Sequence, residues 1–314
     1  MMHVTVCIST FRRPVLLARL LRELEKQATE GLFTYSVVVA DNDAQQSAKP
    51  TAAEFATRLA LVYCVEPERN IAAARNMAVR QAKGDFIAFI DDDEYPVGDW
   101  LLRLFKNCTE RNVAGVLGPV EPYFEKTPAA WILETNIFSR PRHETGYAMP
   151  WTECRTGNLL FRRSILAGMA EPFDRKFGTG GEDVDFFLRM SEQNHVFVWC
   201  DEAVAYELVP KERQTRRYIL KRAFLRGQVS LKYSKSRVER IAKSLIALPL
   251  YGVALPFLAV AGQRFLLRYM IKICDHAGRL LTLCGLEPSN VRAGDVVRKA
   301  PLSPSPTAMP SLYR

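Results

Sequence analysis

Four short apolar runs near the start of the chain constrain its fold more than any other feature. They are HVTVCIST (3–10), YSVVVA (35–40), LVYCV (61–65) and FIAFI (86–90). Each is rich in β-branched residues and too short for a buried helix, so each reads as a strand buried on both faces. Between them, residues 14–28, 51–60 and 71–82 carry apolar side chains at helical spacing, the first segment opened by Pro14. This alternation predicts an α/β fold with a mostly parallel sheet and helices on both faces. Ligands of such sheets bind at the carboxyl ends of the strands. Ser9-Thr10, Asp41-Asn42-Asp43 and the run Asp91-Asp92-Asp93-Glu94 all fall there.

The acidic run carries the chemistry. Adjacent carboxylates repel one another, and one of them takes up a proton unless a cation neutralises the group. An all-carboxylate set on a loop suits Mg²⁺ or Mn²⁺, ions that also take phosphate oxygens. The plainer reading is a solvated acidic turn. No GxGxxG follows the first strand and no GxxxxGK[ST] occurs, which argues against dinucleotide-binding and P-loop folds. A second acidic pair, Glu182-Asp183, opens a predicted helix behind Gly178, Gly180 and Gly181. A carboxylate there can accept a proton from a substrate hydroxyl, or can simply complement the helix N-terminus. Residues 115–160 are irregular, with Trp131 and Trp151, and suit a binding pocket. Trp151 reads equally as core or as a sugar-stacking platform. Gly157-Asn158 leads into LLFRRSIL, a short strand followed by a helix, and 195–200 forms a further strand.

The C-terminal third has a different character. Residues 1–210 hold 23 Lys+Arg and 29 Asp+Glu, a balance of −6, whereas 211–314 hold 20 and 5, a balance of +15. Residues 211–243 are basic and helical in pattern, Ser244 to Gln263 are 20 residues without a charge, and 265–286 are amphipathic. The stretch 245–262 spans about 27 Å as a helix, short of a hydrocarbon core of about 30 Å. Pro249 and Pro256 are expected to kink it. A membrane-embedded or interfacial helix pair is favoured over a single crossing, with a hairpin packed on the protein as the alternative. The flanking cations, including Lys232, Lys235, Lys243 and Arg264, suit an anionic membrane. Tyr218, Phe224 and Tyr233 lie among cations, but no nucleic-acid module surrounds them, so no nucleic-acid partner is expected. Seven widely spaced cysteines without a CxxC pair point to reduced thiols rather than disulfides or zinc. The first residues show no signal-peptide pattern.

Taken together, VTVCISTFRRP, VVVADNDAQQS, ERNIAAARNMAVRQAKGDFIAFIDDDEYP, TGNLLFRRSIL and GGEDVDFFLRM resemble glycosyltransferase family 2 with its GT-A fold, over residues 3–210. The segment ELVPKERQTRRYILKRAFLRGQ is similar to the branch that builds succinoglycan-type exopolysaccharides. The resemblance implies a GT-A catalytic domain over 1–210 and a basic helical C-terminal region over 211–314, with a membrane-associated segment at 244–263. It implies an inverting, metal-dependent transferase that uses Mn²⁺ or Mg²⁺. The donor would be a nucleotide sugar, a UDP-sugar by the narrower resemblance. The acceptor would be a saccharide on a polyprenyl diphosphate, at the cytoplasmic face of a bacterial inner membrane.

Residue by residue, Asp91-Asp92-Asp93 takes the DxD position, with Asp93 on the metal and Asp91 nearer the ribose or sugar. Asp41 matches the nucleobase position, and Thr10 and Arg75 line the nucleotide pocket. Asp183, paired with Glu182, matches the general base. Gly157 and Asn158 match the loop facing donor sugar and acceptor. The family's metal-ligating His is missing. His195 comes too early, and Glu207 stands near that position: either Glu207 substitutes as a third ligand, or the metal has fewer protein ligands. Two rivals stay open: a sugar-nucleotide nucleotidyltransferase, for which Phe11-Arg12-Arg13-Pro14 is a poor phosphate loop, and a non-catalytic sugar-nucleotide-binding membrane assembly subunit.

Overall fold

The structure is a computed structural model, and it describes residues 1–231 and 236–284. The 285–314 end of the expected basic region, with Lys232, Tyr233 and Lys235, lies outside the described residues. The described residues divide into two compact units. The first comprises Met1–Glu121 and Arg140–Glu207; the second comprises Pro122–Ser139 and the chain from Leu208. Charge and motif place one boundary at 210. The structure adds the segment 122–139 to the C-terminal helices.

The first unit begins with β1 (Met2–Thr10), α1 (Pro14–Leu24), β2 (Phe33–Asp41), α2 (Lys49–Phe55), β3 (Leu61–Val65), α3 (Ile71–Gln81) and β4 (Phe86–Phe89). It continues through β5 (Glu94–Pro96), α4 (Trp100–Glu110) and β6 (Gly115–Leu117), and the chain leaves it along β7 (Val120–Tyr123). After α5 (Ala130–Thr135) of the second unit come β8 (Leu159–Arg162), α6 (Glu182–Glu192), β9 (Phe197–Trp199) and β10 (Ala205–Leu208). The larger sheet has the order β3-β2-β1-β4-β8-β6-β9. Every neighbouring pair is parallel except those made by β8, which runs against both β4 and β6. The mostly parallel expectation therefore meets one reversed strand. That reversal matters for position: Phe89 at the end of β4 pairs with Leu159 at the start of β8. The 157–158 turn is thereby brought to the edge where β1, β2 and β4 end.

Strand alternation sorts the core into two layers. Val4, Val6, Ile8, Val37 and Val39 face a layer filled by Leu17, Leu20, Leu21 and Leu24 of α1 and by Trp100, Leu101 and Leu104 of α4. Cys7, Val38, Ile87 and Phe89 face Ala72 and Ala78 of α3 and Phe186, Phe187 and Met190 of α6. The alanines of α3 leave room for it to approach the sheet closely. Its N-cap is Asn70, whose side chain accepts the Ala73 amide at 3.1 Å.

In the second unit α7 (Arg216–Ser230), α8 (Arg237–Ala261) and α9 (Gln263–Leu281) follow one another. The backbones of α7 and α9 touch: a Cβ at Gly227 or Gly278 would stand 2.1 Å from the Asp275 or Phe224 carbonyl oxygen. The expected pair within 244–263 takes another form. α8 continues through Pro249 and Pro256, and the chain turns at Gly262 (φ +118°) into α9.

Asn158 holds the reversed strand in place. Its side chain is fully buried, accepts Trp100 Nε1 at 2.7 Å, and donates to the carbonyls of Pro119 at 2.7 Å and Ala203 at 2.8 Å. Asn158→Ala removes the partners of Trp100 Nε1 and the Ala203 carbonyl and one of the two donors to the Pro119 carbonyl, so we expect a loss of about 2–5 kcal/mol in urea unfolding. Full stability with loss of nucleotide affinity would instead assign Asn158 to the ligand.

Candidate active site

The shared edge of β1, β2, β4 and β8 collects the acidic residues, and arginines neutralise them. Thr10 closes β1 and donates its hydroxyl to Asp92 Oδ2 at 2.7 Å. Arg13, at the N-cap of α1, bonds Asp92 Oδ1 at 2.8 Å and Asp93 Oδ2 at 3.1 Å. Asp92 is buried. Burial raises its carboxyl pKa, and Arg13 opposes that rise. Asp92 therefore braces the loop, while Asp91, with a side chain 47% exposed, faces outward. Within the protein, Arg13 is the cation for the Asp92–Asp93 part of the acidic run.

Arg75 ties this loop to the second acidic pair. It projects from α3, is buried, and bonds Asp91 Oδ1 at 3.3 Å and Glu182 Oε1. Burial alone would depress the guanidinium, but Glu182 and Asp91 more than reverse this and keep it charged. Glu182 is itself buried, which raises its carboxyl pKa against the pull of Arg75, and its Oε2 has no hydrogen-bond partner. Glu182 opens α6 directly after Gly181 (φ +95°), a conformation that suits glycine. Asp183 follows it, partly exposed, with Oδ1 accepting the Val184 amide at 2.8 Å and Arg155 Nε 4.0 Å from Oδ2. Of the pair, Asp183 has the reach to meet a ligand. Glu182 is committed to Arg75.

A third group forms through the small sheet β5-β10-β7. Its antiparallel β5–β10 register sets Glu207 opposite Glu94. Arg140 Nη2 bonds Glu207 Oε2 at 2.9 Å. Glu94 is buried, and its Oε2 accepts the Asp91 amide at 3.2 Å. Burial, then the nearby Asp91, pushes its pKa well up. Gly157 lies against this group: a Cβ there would be 2.7 Å from Glu94 Oε1 and 3.3 Å from Asp91 Oδ2. Glycine at 157 keeps the space beside these carboxylates clear.

Two expected ligand residues take other roles. Asn158 is spent inside the fold and does not face a sugar, because all its polar atoms serve buried partners. Asp41 ends β2 as expected but is fully buried. Its oxygens accept the Ala48 amide at 2.8 Å, the Tyr63 hydroxyl at 2.9 Å and the Asp43 amide at 3.2 Å, which fixes the turn after the strand. Burial raises its pKa against those bonds. Arg12 and Arg13 do not form an open phosphate loop, since Arg12 bonds Asp43 and Arg13 holds the acidic run. Trp151 packs partly buried against the α3/α6 layer. His195 precedes β9 and so lies at the opposite edge of the sheet. Arg13 and Arg140 were not legible as site residues, whereas Glu94 stood in the acidic run without a role of its own. Arg13 had a signal, since it closely follows the first strand. Arg140 had none.

Among the described residues, no three His, Cys, Asp or Glu side chains stand ready as a metal-ligand set. The carboxylate oxygens of Asp91, Asp93 and Glu207 are nonetheless the donors a hard divalent ion prefers. The clear space at Gly157 fits the same group.

Residues 5–168 match the family model described as Glycosyl transferase family 2. The chain is 32% identical to the succinoglycan biosynthesis protein ExoM of Rhizobium meliloti (strain 1021), over 91% of this chain and 94% of that protein. It is 26% identical to the hyaluronan synthase of Pasteurella multocida, over 80% of this chain and 30% of the synthase. Among solved structures, S. aureus TarS 1–349 in complex with UDP-GlcNAc superposes with a TM-score of 0.55 at 17% identity, over 90% of this chain and 92% of that one. That likeness establishes the GT-A-type fold. The family match and the relative that spans nearly the whole chain establish the rest: the protein belongs to glycosyltransferase family 2.

Proposed function

We propose that this glycosyltransferase is an inverting enzyme that moves a sugar from a UDP-sugar to a saccharide on a polyprenyl diphosphate, in exopolysaccharide assembly. We place it at the cytoplasmic face of a bacterial inner membrane. The observation that carries this reading is the Asp91–Arg75–Glu182 link through the buried Arg75, which ties the β4 edge to the start of α6 beside Asp183. The succinoglycan relative supports the pathway class, and the UDP-GlcNAc bound by TarS supports a UDP-linked donor. Among the described residues, one helix is long and apolar enough to cross a membrane, which supports the location.

In this reading Asp183 accepts the proton of the acceptor hydroxyl, whose oxygen attacks the anomeric carbon. The bond from that carbon to the diphosphate oxygen breaks on the opposite face, and the nucleoside diphosphate leaves with the electron pair. Thr10, Asp41 and Arg75 shape the nucleotide edge, Asp41 through the turn it holds. Asp91 and Asp93, with Glu207, would hold Mn²⁺ or Mg²⁺, which supplies positive charge for the departing diphosphate. Arg140, 43% exposed beside Glu207, adds protein charge at the same place.

Asp183→Asn should lower turnover about 10³-fold and leave UDP affinity within about twofold, in paired kinetics and calorimetry. Near-normal turnover would remove Asp183 as the base. Asp93→Ala should abolish the gain in UDP affinity that Mn²⁺ brings to the parent chain, read by calorimetry with and without the ion. An undiminished Mn²⁺ effect would move the ion elsewhere.

A further inference from the structure

The two faces of α8 differ in kind. Ser244 and Tyr251 face α9: Ser244 Oγ lies 2.9 Å from His276 Nδ1 and 2.9 Å from Arg279 Nη1, and Tyr251 meets Tyr269 edge-on with ring centroids 5.3 Å apart. On the opposite side Ile246, Leu250, Val253, Phe257 and Val260 are 63–89% exposed. Their spacing lines them up as one stripe. Pro249, Gly252 and Pro256 are exposed too, and the prolines deprive the carbonyls of Leu245 and Gly252 of their usual amide donors.

We propose that α8 lies in the plane of an anionic lipid leaflet, with this stripe in the acyl boundary, and does not cross the bilayer. The inference rests on the membrane location proposed above and says how the chain meets that membrane. Length does not decide between the two modes, because 25 helical residues reach about 38 Å, enough to cross. The decision comes from α9, which runs back along α8. Three of its charges are fixed to the other helices of this unit. Asp275 takes Arg226 Nε of α7 at 2.9 Å, Arg279 donates to Ser230 Oγ at 3.0 Å, and Arg268 donates to the Thr135 carbonyl of α5 at 3.3 Å. The backbone contacts at Gly227 and Gly278 fasten α9 to α7 along the same stretch.

A crossing α8 would draw these ionised groups into hydrocarbon, where each is expensive, and would leave the proline-freed carbonyls without donors. Lying in the plane, α8 immerses only the stripe. Arg237, Arg240 and Lys243 at one end and Arg264 at the other then stand level with lipid phosphates. The same end charges disfavour a second copy of the chain as the covering surface, since pairing identical stripes brings cation against cation.

Flotation of the full chain with vesicles tests this. Vesicles of phosphatidylcholine containing phosphatidylglycerol should carry the protein, and pure phosphatidylcholine should bind it about tenfold more weakly. Leu250→Glu with Phe257→Glu should weaken flotation on the anionic vesicles by at least about tenfold. Cysteines placed at the two ends of α8 by Ser236→Cys and Gln263→Cys, in separate chains, should both react with an impermeant maleimide outside the vesicles, beyond the labelling of the parent chain. Protection of one end until detergent is added means that α8 crosses, and it overturns the proposal even if the glutamate variant fails to fold. A chain that floats with no vesicle removes the membrane location as well, and one that is instead a dimer by light scattering assigns the stripe to a second copy.

Discussion

The site depends on one buried charge. Arg75 lies inside the first unit with Asp91 on one side and Glu182 on the other. These carboxylates come from segments about ninety residues apart in the chain, so a single guanidinium decides how the β4 edge stands against the start of α6. Breaking a buried pair by removing one partner typically costs about 3–5 kcal/mol, because the remaining charge is left uncompensated. With Arg75 gone, two carboxylates would face each other across the site. The network is thus a positional device first: Glu182 gives its charge to Arg75, and its neighbour Asp183 remains available to a ligand.

A similar economy governs the acidic run. Three aspartates and a glutamate in sequence would repel without compensation, yet each is placed differently. Asp92 turns inward to Thr10 and Arg13, Asp93 shares Arg13, Asp91 reaches Arg75, and Glu94 lies buried below the Asp91 amide. Direction of side chain, rather than residue type, separates bracing carboxylates from those that can meet a ligand. Gly157 completes the division, because any larger residue would occupy the space beside Asp91 and Glu94.

That difference explains what could be read without coordinates. The strands at 3–10, 35–40, 61–65 and 86–90 were legible because burial on both faces demands unbroken apolar runs. The grouping of Thr10, Asp41 and Asp91 at one edge followed from parallel topology. The reversed direction of β8 was not legible, since a four-residue apolar strand carries no mark of its orientation. With that orientation came the true position of Asn158, whose amide satisfies Trp100, Pro119 and Ala203 instead of a sugar. Arg140 was equally hidden: it sits in an irregular segment, and only the β5–β10 register brings its partner Glu207 next to Glu94.

In the C-terminal helices composition suggested a membrane, but packing determines how deep α8 can go. On an insertion scale an apolar residue at the helix centre gains about 0.3–0.6 kcal/mol, whereas an Arg, Lys or Asp loses about 2.5–3.5. The five outward residues of α8 would therefore gain roughly 1.5–3 kcal/mol, at most about what one immersed charge removes. Apolar residues on the inner face, such as Leu248 and Leu255, add less, because they are already partly buried. Since α9 is held to α7 and α5 by its own ion pair, hydrogen bonds and glycine contacts, crossing would immerse several charges to gain what lying in the plane gains without them. On the proposal made above, α8 as a whole is long enough to span, but the helix beside it holds it at the lipid surface.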